Sequence, residues 1–167
     1  MTSAVAEPAT ARLFFALQPD PRVLAQLVEV QRFLQPSVRG RWLPPANLHV
    51  TLVFLGAVPA ARVPELETLA ARVRTPPFTL ELNRLECWRR SRVLCLTPPA
   101  IPAGLSALVA DLSAKLEQSG MRLEKRPCRA HLTLARDITA GEPAMPLSAP
   151  ILLEPVSFSL QESSATV

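Results

Sequence analysis

A repeated series of strand, helix, loop and strand is the feature of this sequence that most constrains its fold. In the first copy, the apolar residues 13–17 predict a buried strand. Pro21 then opens a predicted helix, with Asp20 as its expected N-cap. After a loop, residues 49–55 are rich in β-branched side chains and predict a second strand that ends at Gly56.

The second copy follows in nearly the same register. Residues 92–96 predict a strand, Pro102 opens a helix that should end before Gly120, and residues 131–135 predict another strand. The two helix-opening prolines are 81 positions apart, which indicates a duplicated unit. A further helix at about residues 62–74 and strands near residues 78–85 and 151–161 complete the predicted elements.

Composition and length favour a single domain with a substantial core. The chain has 167 residues, of which 49% are hydrophobic and 19% charged, so it can bury a core but cannot hold two independent domains. We therefore predict one two-lobed α+β domain over residues 1–167, with residues 1–10 as a loose tail. The sequence has no feature that indicates an oligomer, and we expect a monomer.

Several classes of protein are disfavoured by what the sequence lacks. The five glycines form neither a GxGxxG nor a GxxxxGK motif, which argues against a dinucleotide fold and a P-loop. The three cysteines form no CxxC pair, and no uninterrupted apolar run is long enough to span a membrane. We expect a cytoplasmic protein that uses no cofactor and does not bind a membrane.

The two histidines of the chain occupy matching places in the repeat. His49 and His131 are 82 positions apart, each begins a predicted strand, and each is followed two residues later by a threonine, Thr51 or Thr133. Because side chains at i and i+2 of a strand share a face, each imidazole should project together with its hydroxyl. If the lobes are related by a pseudo-twofold axis, the two pairs face each other across a cleft.

Such a pair of imidazoles suits displacement at phosphorus. One can take a proton from the attacking oxygen while the other gives a proton to the leaving oxygen, each contributing ~10²–10⁴-fold at neutral pH. The two hydroxyls can donate to the non-bridging oxygens, and no metal is required. A single histidine on an apolar strand is more often structural, and it is the matched pair that favours catalysis. Cys128 and His131 have ligand-like spacing, but a zinc site would need a second pair of ligands.

Three segments resemble the RNA 2',3'-cyclic phosphodiesterases, historically called 2'-5' RNA ligases, within the two-histidine phosphoesterases. They are residues 12–16 (RLFFA), 44–56 (PPANLHVTLVFLG) and 131–136 (HLTLAR), and the similarity runs from about residue 12 to residue 163. The resemblance implies a bilobal α+β fold, with two antiparallel sheets around a central cleft and helices on the outer faces. It also implies hydrolysis of a terminal 2',3'-cyclic phosphate on RNA to a 2'-phosphate.

The resemblance also implies individual roles. His49 is similar to the proton donor to the 3'-oxygen and His131 to the proton acceptor that activates water. Phe14 is similar to an aromatic that stacks on a base, and Arg136 to the arginine that closes the second motif. Arg136 has the opposite strand parity to His131, so it reaches the phosphate only if the strand ends or bulges; otherwise it is a solvated arginine. The family usually has an aromatic residue and a proline just before the second histidine, where this chain has residues 128–130 (CRA), and Arg129 could contact phosphate instead.

Two alternatives remain open at this stage. The reverse reaction, attack of a 5'-hydroxyl on the cyclic phosphate, would make a 2'-5' linkage, and a non-catalytic module would only bind RNA ends. The positive charge of the chain favours an RNA partner for hydrolysis and for both alternatives. Residues 122–136 contain five basic residues and one acidic residue, which accounts for the whole net charge of +4. Trp88, beside three arginines, could stack on a base, although a packing role is more common.

Overall fold

The structure is a computed structural model that describes residues 7–126, 129–141, 143, 149–155 and 157–163. It is of the α+β class, with antiparallel sheets and three α-helices among these residues. The strands are β1 (Thr10–Leu17), β2 (Arg39–Trp42), β3 (Val50–Pro59), β4 (Leu80–Leu82), β5 (Arg84–Trp88), β6 (Val93–Thr97), β7 (Leu132–Ala140), β8 (Ile151–Leu153) and β9 (Ser159–Glu162). The helices are α1 (Pro21–Leu34), α2 (Val63–Ala70) and α3 (Ala103–Gln118).

The sequence signals at the helix ends act as predicted. The Asp20 carboxylate accepts a hydrogen bond from the backbone N–H of Val23 at 2.9 Å, and Pro21 occupies the first turn, where a missing N–H costs nothing. α3 begins directly after Pro102, and Gly120 follows its end with a φ of +90°, a left-handed conformation that favours glycine. Both helices turn a leucine-rich face into one continuous core.

The larger sheet has seven strands, in the order β5-β6-β7-β3-β1-β9, with β2 also paired to β7. Its two halves meet at a narrow seam, because β3 and β7 share the single residue pair Val50–Leu132. Beyond that pair β7 continues alongside β2, while β3 continues alongside β1. The seam therefore lies immediately after His49 and His131 in the chain, and the sheet opens on either side of it. β4 and β8 form a separate two-stranded sheet.

Several predicted boundaries were wrong. β3 does not end at Gly56 but continues to Pro59, with Gly56 inside it at a φ of +72°. The loop after α1 contains β2, and α2 ends at Ala70 rather than at residue 74. The strand predicted near residues 78–85 is two strands, β4 and β5, and the strand predicted near residues 151–161 is also two, β8 and β9.

The ends of the domain are described in part. The predicted tail over residues 1–10 is too long, because Thr10 already belongs to β1 and the Ala9 carbonyl accepts the N–H of Ala60 at 2.8 Å. Residues 1–6 lie outside the described residues. Within the described segments, none of the helices combines the length and the apolar character needed to cross a bilayer.

Candidate active site

The seam brings the two His-x-Thr pairs into one cavity. His49, Thr51, His131 and Thr133 all line a cleft of about 460 Å³. Each histidine sits one residue before its strand, and each threonine lies within it, so both side chains project to the same side. The opposite side of each strand is apolar and packs into the core, through Val50 on one strand and Leu132 on the other.

Backbone carbonyls fix the orientation of both imidazoles. Nδ1 of His49 lies 2.7 Å from the carbonyl oxygen of Asn47, and Nδ1 of His131 lies 2.7 Å from that of Arg129. A carbonyl can only accept, so Nδ1 donates in both cases. In the neutral imidazole the lone pair is then on Nε2, which leaves Nε2 of each ring as the nitrogen available for proton transfer.

The surroundings lower the pKa of both histidines. Burial is the largest cause, and it holds the pKa of His49 and of His131 below the ordinary value of 6.5 by disfavouring the charged ring. The hydrogen bond to the carbonyl opposes this effect, and the positive charge of Arg136 adds to it at both rings. Both imidazoles are therefore mainly neutral at neutral pH in the free protein.

An aromatic ring supports each imidazole. The ring centroid of Phe14 lies 4.9 Å from that of His49, and the ring centroid of Trp88 lies 4.6 Å from that of His131. Phe14 is only 6% exposed, so little of its face is free for a base. The ring next to it is different, because Phe54 lies 5.9 Å from Phe14, lines the cleft and is 63% exposed.

A β-bulge follows each of the two threonines. In β7, Thr133 pairs with Cys95 and Ala135 pairs with Leu94, which leaves Leu134 as an extra residue. The extra residue reverses the alternation of side chains, so Arg136 lies on the same face as Thr133 and lines the cleft. From the sequence, we expected Arg136 to reach this face only if the strand ended or bulged.

The bulge in β3 is equivalent. Thr51 pairs with Ala16 and Val53 pairs with Phe15, which leaves Leu52 as the extra residue. Phe54 is thereby brought to the face of Thr51. Phe54 and Arg136 thus occupy the same place, five residues after their histidine, with an aromatic ring on one side of the cleft and a guanidinium on the other.

Helix α1 holds the bulge in β7 through a buried amide. Nε2 of Gln31 donates to the carbonyl oxygen of Leu134 at 3.0 Å and to that of Leu43 at 2.9 Å. Leu43 also donates its own N–H to the Leu134 carbonyl at 3.0 Å. Gln31 is 5% exposed, and it satisfies backbone groups that the irregular strand would otherwise leave unpaired.

Two further arginines near the cleft, Arg41 and Arg129, differ in whether they line it. Arg41 lines it and pairs with Asp137, Nε to Oδ2 at 3.1 Å. Arg129 does not line the cleft; its guanidinium carbon lies 4.3 Å from the centroid of Trp88, on the indole that contacts His131. Arg129 therefore makes a cation–π contact beside the site, from which its charge lowers the pKa of His131, and its contact with phosphate stays a prediction.

Two residues that matter here were missed in the sequence, and both had a signal. Phe54 appears when the segments HVTLVF and HLTLAR are aligned on their histidines, since it then stands opposite Arg136. Gln31 is a polar residue on the apolar face of α1, four positions after Leu27 and three before Leu34. A polar side chain at such a position must find buried partners.

No group of three or more histidine, cysteine, aspartate or glutamate side chains with metal-binding geometry occurs within the described parts of the chain. Cys128, considered with His131 as a ligand pair, lies outside the described residues.

Known proteins of one family match both the sequence and the structure. The family described as LigT like Phosphoesterase matches residues 17–95. The RNA 2',3'-cyclic phosphodiesterase of Escherichia coli (strain K12) is 39% identical over 126 residues, covering 75% of this chain and 72% of that protein. The protein of the same name from Bacillus subtilis (strain 168) is 32% identical over 129 residues, covering 74% of this chain and 69% of that protein.

The solved structure of E. coli LigT complexed with 3'-AMP superimposes with a TM-score of 0.81 at 33% identity, over 95% of this chain and 91% of that one. Both the sequence and the fold of this chain therefore match these relatives over most of its length. The chain belongs to the family of RNA 2',3'-cyclic phosphodiesterases, the LigT-like phosphoesterases.

Proposed function

We propose that this protein hydrolyses the 2',3'-cyclic phosphate at the end of an RNA to a 2'-phosphate, by acid–base catalysis between its two histidines and without a metal ion. Water attacks phosphorus and loses a proton to Nε2 of His131. The bond from phosphorus to the 3'-oxygen breaks, and Nε2 of His49 gives that oxygen a proton. The products are a 2'-phosphomonoester and a free 3'-hydroxyl, and the two histidines exchange protonation states.

The observation that carries this proposal is the matched pair of imidazoles in one cleft. Each donates Nδ1–H to a backbone carbonyl at 2.7 Å, which reserves Nε2 of each for a reacting oxygen. In-line displacement needs one base and one acid on opposite sides of phosphorus, and a cleft with a histidine on each side meets that need. The allocation of donor to His49 and acceptor to His131 follows the family resemblance.

The other cleft residues suit the substrate. The hydroxyls of Thr51 and Thr133 and the guanidinium of Arg136 can donate to the non-bridging oxygens, where negative charge grows in the transition state. Phe54 offers an exposed ring on which the terminal base can stack, while Phe14 supports both Phe54 and His49. E. coli LigT, a similar protein, has a solved structure with 3'-AMP, which is also a nucleotide with a phosphate on its ribose.

We also infer that the chain is a duplicated, two-lobed unit with helices on its outer faces. Three features recur at the two histidines: the carbonyl two residues upstream that accepts from Nδ1, the aromatic ring against the imidazole, and the bulge after the threonine. Independent origins would not be expected to reproduce all three. A monomeric state and a cytoplasmic location stay predictions, which light scattering and cell fractionation can check.

The test is an assay on an oligonucleotide that ends in a 2',3'-cyclic phosphate, with the product identified and the enzyme treated with EDTA. The expected product is a 2'-phosphate, formed at the same rate with and without EDTA. His49→Ala and His131→Ala should each lower turnover by at least 10²-fold while the folded state and RNA binding persist. Retained turnover in either variant contradicts the mechanism.

The two alternatives give different results in the same assay. A non-catalytic module shows binding but no turnover in the wild type. Ligation requires an RNA with a 5'-hydroxyl, and a joined product that grows with its concentration would reveal it. Because water is in large excess, we expect hydrolysis to dominate.

A further inference from the structure

A second groove adjoins the cleft on the side of Phe54. It is lined by Arg12, Phe14, Phe54, Arg122 and Glu124, among others, and we call it the outer groove. Phe14, Phe54 and Ser163 line both the cleft and the outer groove, so the two are continuous. None of the four His-x-Thr residues (His49, Thr51, His131 and Thr133) lines the outer groove, and the proton transfers of the proposed mechanism do not require it.

Strand β1 forms a row that leads from the catalytic threonine into the outer groove. Ala16 pairs with Thr51, Phe14 pairs with Phe54, and Arg12 pairs with Ala57. Alternate residues of a strand share a face, so these three β1 side chains point to the cleft side at intervals of about 6.6 Å. Arg12 therefore lies one step beyond the aromatic pair, measured outward from Thr51.

The outer groove is basic at the point where this row ends. Arg12 and Arg122 come from distant parts of the chain and are both exposed. Its carboxylate, Glu124, is engaged with Arg126, with Oε2 3.4 Å from Nε. Two arginines that line one groove beyond an exposed ring make a site suited to a phosphate, since arginine binds phosphate through two parallel hydrogen bonds.

We propose that the outer groove binds the phosphodiester on the 5' side of the terminal nucleotide, through Arg12 and Arg122. This inference rests on the proposed function. When the 2',3' edge of the terminal ribose faces the histidines, its base and its 5' carbon both extend away from the reaction centre. The base then meets Phe54, and the next phosphate along the RNA lies beyond it, in the groove that the two arginines line.

A second basic groove is a less suitable route. It is lined by Cys87, Arg89, Arg92 and residues 138–141, and it shares no lining residue with the cleft. Arg92 also faces a carboxylate there, with Nη2 3.7 Å from Oδ1 of Asp137. An RNA whose end is in the cleft enters the outer groove past residues that line both, whereas the ion pairs of Asp137 with Arg41 and Arg92 lie between the cleft and the second groove.

The experiment compares two substrates that differ by one nucleotide, and therefore by one internal phosphodiester. The first is adenosine 2',3'-cyclic phosphate, and the second is a dinucleotide of adenosine that ends in a 2',3'-cyclic phosphate. The wild type should prefer the dinucleotide in kcat/KM. Arg12→Ala and Arg122→Ala should each lower that preference by about tenfold, mainly through KM for the dinucleotide, because a charge-assisted contact to phosphate is lost.

Two controls make the result specific. Arg72→Ala removes an exposed arginine from a groove that shares no lining residue with the cleft or the outer groove, and it should keep the wild-type preference. A dinucleotide whose internal linkage is an uncharged methylphosphonate should lose the preference with the wild type and show no further loss with either variant.

Three outcomes overturn the inference. If the preference is unchanged in both Arg12→Ala and Arg122→Ala, while the wild type hydrolyses both substrates, the outer groove does not bind the phosphate and the proposed function still stands. If Arg89→Ala lowers the preference instead, the RNA takes the other groove. If the wild type hydrolyses neither substrate, the proposed function fails and this inference fails with it.

Discussion

At the scale of single residues, one guanidinium acts on the pKa of both imidazoles. Arg136 lines the cleft with both histidines, and its charge lowers the pKa of each. In the proposed mechanism the same guanidinium holds the phosphate, so Arg136 would both bind substrate and add to the effect of burial that lowers the pKa of the free histidines. Binding of an anionic substrate offsets that charge and makes protonation of the donor imidazole easier when it is needed.

The pH dependence of kcat/KM tests this coupling. The reaction needs one neutral and one protonated imidazole, so kcat/KM should be bell-shaped, with limbs set by the two pKa values of the free enzyme. Because both pKa values are lowered, the maximum should lie below pH 6.5. In Arg136→Gln the imidazolium forms are repelled less, both pKa values rise, and both limbs should move to higher pH, while kcat falls by about 10²-fold.

The matched control for this shift is Arg41→Gln. Arg41 lines the same cleft, but it pairs with Asp137 and is not among the charges that shift either histidine. Its removal should leave both limbs in place. Equal displacement of the limbs in the two variants would show that the effect is a general loss of positive charge and not the action of Arg136.

At the scale of elements, irregular strands are what assemble the site. A regular β7 would turn Arg136 away from His131, and the bulge at Leu134 turns it back. That bulge is held by an amide from another element, Gln31 of α1. Helix and strand are therefore coupled at the cleft, and we regard Gln31 as a positioning residue for Arg136.

Gln31→Leu should affect stability and catalysis together. The substitution replaces the amide with an apolar group of similar size and leaves the Leu43 carbonyl without its donor, which should lower the free energy of unfolding by about 1–3 kcal/mol. The loosened bulge should lower kcat by about tenfold at a temperature where the variant is fully folded. Denaturant unfolding and steady-state kinetics measure the two effects separately.

A second substitution on α1 separates the positioning role of Gln31 from its effect on stability. Leu27 is fully buried on α1, and Leu27→Ala should cost about 2–5 kcal/mol by leaving a cavity. Because Leu27 makes no hydrogen bond to the bulge, its variant should keep the wild-type kcat while folded. If both variants lose kcat in proportion to their stability, Gln31 is only a structural residue.

The elements also show what the sequence could and could not predict. α1 and α3 were predictable, because prolines, a capping aspartate and regular leucine spacing mark them. β2 was not, because its residues RGRW show no apolar alternation that would mark a strand. A Cβ on Gly40 would lie 3.0 Å from the Arg136 carbonyl oxygen, and this close approach to β7 is visible only in the fold.

The site was predictable where it depends on strand alternation. His49, Thr51, His131 and Thr133 needed only the two-residue period of a strand. The positions of Phe54 and Arg136 depend on bulges, which break that period without a sequence signal of their own. Arg129 was predicted to contact phosphate from its place just before His131, and its stacking on Trp88 could not be predicted because the two residues are 41 positions apart.

At the scale of the whole molecule, the positive charge is concentrated where the chain enters β7. Residues 122–136 account for the net charge of +4, and the structure distributes this segment around the site. Arg122 lines the outer groove, Arg129 covers Trp88 beside His131, and Arg136 lines the cleft. Two of these arginines therefore lie along one continuous path, from the histidines past Phe54 to the outer groove, and the third lies beside it.

Salt dependence tests this arrangement on the intact protein. For an oligonucleotide that ends in a 2',3'-cyclic phosphate, log kcat/KM should fall linearly with log salt concentration, by about 0.7 for each phosphate that the protein neutralises. A 2',3'-cyclic mononucleotide should give a shallower line, because it carries one phosphate, and kcat should change little for either. Sucrose in place of salt should have no comparable effect. Parallel lines for the two substrates would show that the basic surface does not contact the RNA beyond its last nucleotide.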